Sequence, residues 1–396
     1  MEMFVMKIRK ICADAYDQVF APYSLVCITV VSLVVRMMLF PIQSGDYRDF
    51  LHPWFEELKI YGGWEAIGRP VGNYMVSYIY ILAALTHIPL PDIVSIKLVS
   101  FFGDAALAWA CKRFAYAITK DDRISKAVYC MILFLPTVIL NSGAWGQCDS
   151  IYTAAMIACL VNLQEDHPNR ALIAFAIAFL FKLQSVFLAP VLFAALLQKK
   201  VKLLHFFWIP FIYTMIILPA LFAGRPLKEL YFLYVKQAGT YQALSMNAPN
   251  LYAWLPDGFE NKILAVLGIV CAGAAVCRLA WYMKKHAVPL KDTMLLRAAF
   301  LSLMWIPFLL PHMHERYFYP ADILAVLLFA CSKTEQPTML AVPFCSLLLT
   351  VRFVFGATWI SPAVLSIAIL YVCITSTRNF CRICFAGNGF KRDLRP

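Results

Sequence analysis

Charge is scarce in this sequence: Asp, Glu, Lys and Arg make up 15% of its 396 residues, against 62% hydrophobic ones. So few polar side chains would not cover a water-soluble domain of this length, which excludes that class. Low-complexity tracts, a Gly/Ser linker and a repeat of fixed period are also missing, so one domain over residues 1–396 is the economical reading. The 13 cysteines show no CxxC or zinc spacing; Cys159, Cys271 and Cys331 sit in apolar runs and read as buried thiols. No small-residue cleavage site follows the opening MEMFVMKIRKICADAYDQ, which reads as a cytoplasmic basic leader rather than a cleaved signal. No retention signal ends the chain, which favours a bacterial plasma membrane over the endoplasmic reticulum.

What the chain has is apolar length. A bilayer core about 30 Å thick takes roughly 20 apolar residues per helix, so about twelve spans would use nearly all of it. The expected fold is all-α, a polytopic membrane helical bundle. Spans are predicted near Ser24–Ile42, Ile93–Cys111, Ala127–Asn141, Ile151–Leu163, Ala171–Leu183 and Val186–Leu197. Six more follow near His205–Phe222, Ile263–Met283, Met294–Leu310, Tyr317–Ala330, Thr338–Phe353 and Ser361–Ile374. Residues 43–92 and 224–262 form two long loops. In the first, Phe50, Trp54, Phe55 and Leu58 recur at helical spacing against Arg48, Asp49, Glu56 and Glu57, the pattern of an amphipathic helix on the membrane surface. The short run Tyr74–Ile88 is placed in the interface as well.

The formal net charge of +12 would suggest nucleic acid on a soluble protein. Here the basic residues occupy short loops, as topology requires, and the partners expected are membrane lipids, not nucleic acid. With Tyr74–Ile88 kept out of the count, Lys112, Arg113, Lys120, Arg123 and Lys126, then Arg170, fall on the cytoplasmic side. So do Lys199, Lys200 and Lys202, then Lys284, Lys285 and Lys291, and finally Arg378, Arg382, Lys391, Arg392 and Arg395. If Tyr74–Ile88 spans instead, the groups from Lys112 to Lys126 land outside, against the positive-inside rule.

That topology gathers the unusual polar clusters on the outer face: Asp46 and Asp49; AWGQCDS with Trp145, Gln147 and Asp149; Lys182 with Gln184; SMNAPN with Asn247 and Asn250; and HMHER with His312, His314, Glu315 and Arg316. Ionisable groups at membrane depth are costly unless they line a wet, paired cavity, so their convergence points to a functional site. Each has a plainer reading. Asp46 or Asp49 would cap the amphipathic helix, Trp145 would belong to an interfacial aromatic belt, and Lys182 would snorkel to the headgroups. HxHE offers few zinc ligands and no partner motif, so no metal site is assigned. Asp104, on one helix face with Lys97, is expected to pair with it.

At SGDYRDF, WGQCDS, KLQSVFLAP, SMNAPNLYAWLP and HERYFYP the chain resembles polytopic glycosyltransferases of the GT-C superfamily. Within it, the similarity is to bacterial proteins related to the second mannosyltransferase of GPI assembly and, more distantly, to the dolichyl-phosphate-glucose-dependent glucosyltransferases. The resemblance covers about Ser44 to Pro320. It implies an inverting hexosyltransferase with a polyprenyl-phosphate sugar donor, a glycan or glycolipid acceptor, and an acidic general base in the first external loop. By position that base is Asp46, with the doubled acid Asp49 as the departure that weakens the assignment. Inversion in one step needs a single base and no nucleophilic carboxylate. Arg316, with Lys182 or His314, would then stabilise the leaving phosphate. Trp145, Gln147, Asp149, Asn247, Asn250, Glu315 and His312 would serve sugar or acceptor binding. Asp46, Asp149 and Glu315 either meet around a divalent cation or stay apart. No DxD motif points to a nucleotide-sugar donor. The rival readings are a transporter or flippase of a lipid-linked sugar, whose polar groups would sit near the midplane, and an acyl- or phosphotransferase using a HMHER histidine.

Overall fold

A computed structural model describes residues 22–240, 242–332 and 337–385. The basic leader and Lys391, Arg392 and Arg395 lie outside the described residues. Apart from one short strand pair the structure is helical. Helix α1 is Pro22–Met37, α2 is His52–Ile60, α3 is Val76–Leu85 and α4 is Asp92–Thr119. Next come α5 (Asp122–Leu133), α6 (Pro136–Ile139), α7 (Asp149–Gln164), α8 (Pro168–Phe181), α9 (Ala189–Leu197) and α10 (Trp208–Phe222). The short helices α11 (Leu227–Tyr231) and α12 (Leu233–Ala238) precede α13 (Lys262–Lys285) and α14 (Asp292–Leu309). The chain closes with α15 (Tyr319–Cys331), α16 (Ala341–Phe355) and α17 (Pro362–Phe385).

Helices stand at each of the twelve positions expected for spans. Five among the described residues are long and apolar enough to cross a membrane: α4, Leu203–Phe222 with α10, α13, α14 and α17. A sixth arises if α5 and Pro136–Trp145, bent by 46° at their break, form one broken span. Pro136 supplies the break, because it cannot donate to the helix and its ring displaces the preceding turn. The rest are shorter. This makes the chain an all-α, membrane-embedded protein with five or six helices among the described residues long and apolar enough to cross, and the count of twelve crossings does not follow from helix length. Val76–Leu85, ten residues, reaches only about 15 Å and cannot cross alone.

Apolar helices divide into two kinds. The most hydropathic window of α14 is 83% buried, at the centre of a core shared with α4, α5, α7, α8, α9, α15, α16 and α17. Those of α10 and α13 are only 17% buried, leaving Ile263, Val266, Leu267 and Val270 on an outward face. Cys271 shares that face and is exposed, which corrects its reading as a buried thiol; Cys159 and Cys331 are buried. Hydropathy cannot separate a side chain facing lipid from one facing protein, because both media are apolar.

The amphipathic helix of the first loop is present, entered by a π-helical turn over Tyr47–Leu51. Its apolar face meets protein, not an open surface. Trp54, Phe55 and Leu58 pack with Ile67, Val71, Tyr78, Ile79, Leu82 and Ile96 in a satellite core of their own. The expected Lys97–Asp104 pair does not form. Lys97 Nζ donates to the carbonyls of Leu39, Phe40 and Ile42 at 3.3, 3.0 and 2.6 Å. It thereby satisfies the carbonyls of Phe40 and Ile42 just beyond α1 and shares that of Leu39 with Ile42 N–H. Asp104 instead meets Arg36 of α1 at 2.8 Å.

Candidate active site

The chain leaves α1 in a turn held by Lys97 and reaches Ser44, whose hydroxyl accepts from Tyr47 N at 3.1 Å and donates to Trp145 O at 2.8 Å. Ser44 therefore does the capping expected of Asp46, whose side chain makes no cap bond and turns inward. Its Oδ2 accepts from Trp145 Nε1 at 3.0 Å, from Gln147 Nε2 at 2.7 Å and from the Arg316 guanidinium. Residues 46, 145, 147 and 316 thus meet at one carboxylate oxygen. Oδ1 receives none of these bonds.

Trp145 and Gln147 are presented by a broken helix. After α6 the backbone widens into a π-helical turn, Leu140–Trp145, and Gly146 follows in the left-handed region at φ +78°, where glycine costs least. Gln147 N then donates back to Asn141 O at 2.9 Å. The turn lies against α1: a Cβ on Gly143 would sit 3.3 Å from Arg36 Cγ. Arg36 itself donates from Nε to Asp104 and Ser142, from Nη1 to Ser32, and from Nη2 to Leu133 O. The buried arginine so ties α1, α4, α5 and the π turn into one frame behind the site.

Lys182, where α8 ends in extended backbone, does not snorkel. It is buried, donating to Asp149 Oδ1 at 2.5 Å and Gln147 Oε1 at 3.1 Å, while Asn141 Nδ2 donates to Asp149 Oδ2 at 2.8 Å. Gln147 is hence clamped from both ends, and Tyr74 OH also donates to its Oε1 at 3.2 Å.

Arg316 arrives from the segment after α14. His312, at φ +62°, donates through Nδ1 to Ala243 O at 2.8 Å, and its backbone N–H donates to Leu244 O. Met313–His314 then pairs in parallel with Ser245–Met246. The two loops are thereby sewn together, and a helical turn over Glu315–Phe318 sets Arg316 across the Trp145 ring, 5.3 Å from its centroid. Burial would raise the Asp46 carboxyl, but the Arg316 guanidinium outweighs it and holds it below the usual carboxylate range. His314 is pushed down to about 3 by burial and by Arg316, so it is neutral at physiological pH. Glu315 is buried, neither of its carboxylate oxygens is bonded among the described residues, and burial lifts it to about 7.

Part of this group borders a cavity of about 700 Å³, which Trp145, Asp149, Lys182 and Glu315 do not line. Asp46, Gln147, Tyr74, His314 and Arg316 mark its polar end; Val186, Phe187, Ile269, Ala272, Val276 and Ile306 wall the apolar end, between α9, α13 and α14. The other residues expected at a site fall elsewhere. Asp49 is exposed and off the cavity, so Asp46 is the acid at the site. Trp145 is fully buried, stacked on Phe353 at 4.6 Å, with no face open to a sugar. Asn250 is a structural cap, accepting from Tyr252 N at 3.0 Å and donating to Leu310 O at 3.2 Å. Asn247 is exposed at φ +63°, forms a β-bridge with His314 and does not border the cavity, whereas His312 does. Among the described residues no three His, Cys, Asp or Glu side chains, Asp46, Asp149 and Glu315 included, converge as metal ligands. Sequence reasoning missed Tyr74, Trp54, Asn73 and Gln237 of the cavity wall, and Asn141 behind it. Only Asn141, a polar residue ending an apolar run, carried any signal.

No protein-family model matches the chain, and no curated protein matches it significantly.

Proposed function

We propose that the chain is an inverting glycosyltransferase that moves a hexose from a polyprenyl-phosphate donor to a glycan or glycolipid acceptor. The observation that supports it most is the Asp46–Arg316 pair at the polar end of a cavity whose other end is apolar and bounded by the lightly buried α13. A ligand fitting both ends carries an anionic head on an apolar tail. The donor phosphate is assigned to Arg316, which borders the cavity, keeps 13% side-chain exposure and is suited to a charge-assisted bond.

In the reaction, the acceptor oxygen attacks the anomeric carbon as the bond from that carbon to the phosphate oxygen breaks. The electron pair leaves with the lipid phosphate, and the acceptor proton passes to Asp46 Oδ1. Phosphate on Arg316 draws the guanidinium from Asp46, which raises the carboxyl and strengthens it as a base. Arg316 then offsets the charge gained by the leaving phosphate. The resemblance in SGDYRDF, WGQCDS and HERYFYP supports the same reading. A site outside the cytoplasm is supported by the opposite end of the bundle, where the basic side chains of Lys200 and Lys291 gather around Asp166, as the cytoplasmic side would require.

The test is transfer by purified protein with a panel of polyprenyl-phosphate sugars, with and without chelator. Asp46→Asn is expected to lose transfer while still binding the lipid donor. Undiminished transfer by that variant would remove Asp46 as the base.

A further inference from the structure

Most polar side chains near the cavity are already engaged: Gln147 with Asp46, Tyr74 and Lys182, Asp149 with Lys182 and Asn141, Asn250 with its own turn. Gln184 is engaged with Tyr317, which leaves two cavity amides without a partner among the described residues. Asn73, before α3, and Gln237, in α12, border the cavity and have no side-chain partner among the described residues. Both stand on anchored backbone. Beside Asn73, Gly72 adopts φ +66° and lies so close to Trp54 that a Cβ would be 2.8 Å from Cδ2. Helix α12 is held by buried Leu233 and by Tyr234, whose hydroxyl donates to Phe179 O.

We infer that Asn73 and Gln237 bind the hydroxyls of the donor's headgroup and set the preference of the cavity for a glycosylated lipid phosphate over a bare one. This rests on the proposed function, which places the phosphate on Arg316. An amide offers both a donor and an acceptor without charge, which matches a hydroxyl. The two come from different loops, residues 43–92 and 224–262, so a headgroup between them would bridge the loops over the cavity. Discrimination then arises because a bare phosphate leaves both amides to water, while a sugar satisfies them.

The test compares binding of farnesyl phosphate and of hexosyl farnesyl phosphate to the full chain in detergent. The Asn73→Leu/Gln237→Leu double variant is expected to bind the bare probe within about twofold of wild type, and the hexosyl probe about tenfold more weakly, as two neutral hydrogen bonds imply. Bare-probe binding also reports that the variant is folded. Retained preference for the hexosyl probe overturns this inference and leaves the proposed function standing. If wild type binds neither probe, the lipid-phosphate reading fails and takes this one with it. Should the double variant lose both probes, the Asn73→Ser and Gln237→Ser single variants must show the selective loss, and equal loss of both probes there also overturns it.

Discussion

Arginine meets aspartate twice in this bundle, in opposite settings. Arg36 and Asp104 have no side-chain exposure at all, and each nitrogen of the Arg36 guanidinium is hydrogen-bonded, to Asp104, Ser142, Ser32 or Leu133. Arg316 and Asp46 keep 13% and 16% exposure; Arg316 Nε has no partner among the described residues, and Asp46 Oδ1 takes no part in the bonds that crowd Oδ2. A buried pair whose cation is saturated can do nothing but hold helices together. A pair left with spare valence on a cavity wall can exchange partners with a ligand. Charge type and residue type are the same in both, and Asp104 Oδ1 too lacks a partner among the described residues; what differs is whether the pair is sealed inside the bundle or borders a cavity.

Unpairing the interior one should show the contrast most strongly. Asp104→Leu is expected to destabilise the protein by about 3–5 kcal/mol, since it strands a buried guanidinium. The double variant Arg36→Met/Asp104→Leu should recover most of that, because two apolar side chains replace both charges. Thermal unfolding in detergent reads the difference. Equal loss in single and double variants would show that the pair is not the source of the stability.

At the cavity the same operation should change binding and chemistry more than folding. Asp46→Asn is expected to lower transfer by about 10²–10⁴, the usual worth of a positioned general base. It should also tighten binding of farnesyl phosphate several-fold, because Arg316 no longer shares its charge with an internal carboxylate, whereas Arg316→Gln should weaken it. Titration of the probe against the three proteins decides. Unchanged affinity in Asp46→Asn would mean that Arg316 has no more bonding capacity to spare than Arg36.

How far this contrast could be read without coordinates depends on whether a partner is near in sequence. The apolar runs were legible as helical segments, because a bilayer demands backbone satisfied within each segment, but only five or six of them are long and apolar enough to cross among the described residues. Asp46, Gln147 and Arg316 were legible as ionisable or amide groups at helix ends. Arg36, lone in an apolar run, was not, because its partners lie 68 and 106 residues away in Asp104 and Ser142. Lys97 misled for the same reason: its spacing from Asp104 was local, but its bonds are to carbonyls just beyond α1. The placement of Asn73 and Gln237 depends on how two loops fold over the cavity, which no periodicity encodes. Nor could hydropathy rank α13 and α14: the more hydropathic α13, at 2.3 against 1.4, is the less buried.

Glu315 tests a third condition, a buried carboxyl with no bonded partner among the described residues. Burial raises it from 4.5 to about 7. The folded state therefore holds the proton more tightly than the unfolded state, and stability falls as pH rises from about 4.5 through 7. The loss amounts to roughly 3 kcal/mol at most. Glu315→Gln should flatten that slope, with a higher melting temperature than wild type at about pH 8 and little difference near pH 4.5. Parallel melting curves across that range would show that Glu315 finds a counter-charge in the folded protein.

Least should be lost where ion pairs are wettest. At the end of the bundle away from the cavity, Asp166 bridges Lys200 at 3.1 Å and Lys291 at 2.5 Å, and it is itself 53% exposed. It joins three separate stretches of chain, where Arg36 joins four, so connectivity alone would rank the two close together. Water decides otherwise: exposed pairs gain little over hydration and are screened by salt. Asp166→Ala should therefore cost under about 1 kcal/mol, and less again in half-molar salt, against the several lost at Asp104. A loss at Asp166 matching that at Asp104, and insensitive to salt, would mean that connectivity between helices, rather than burial, sets what an ion pair contributes here.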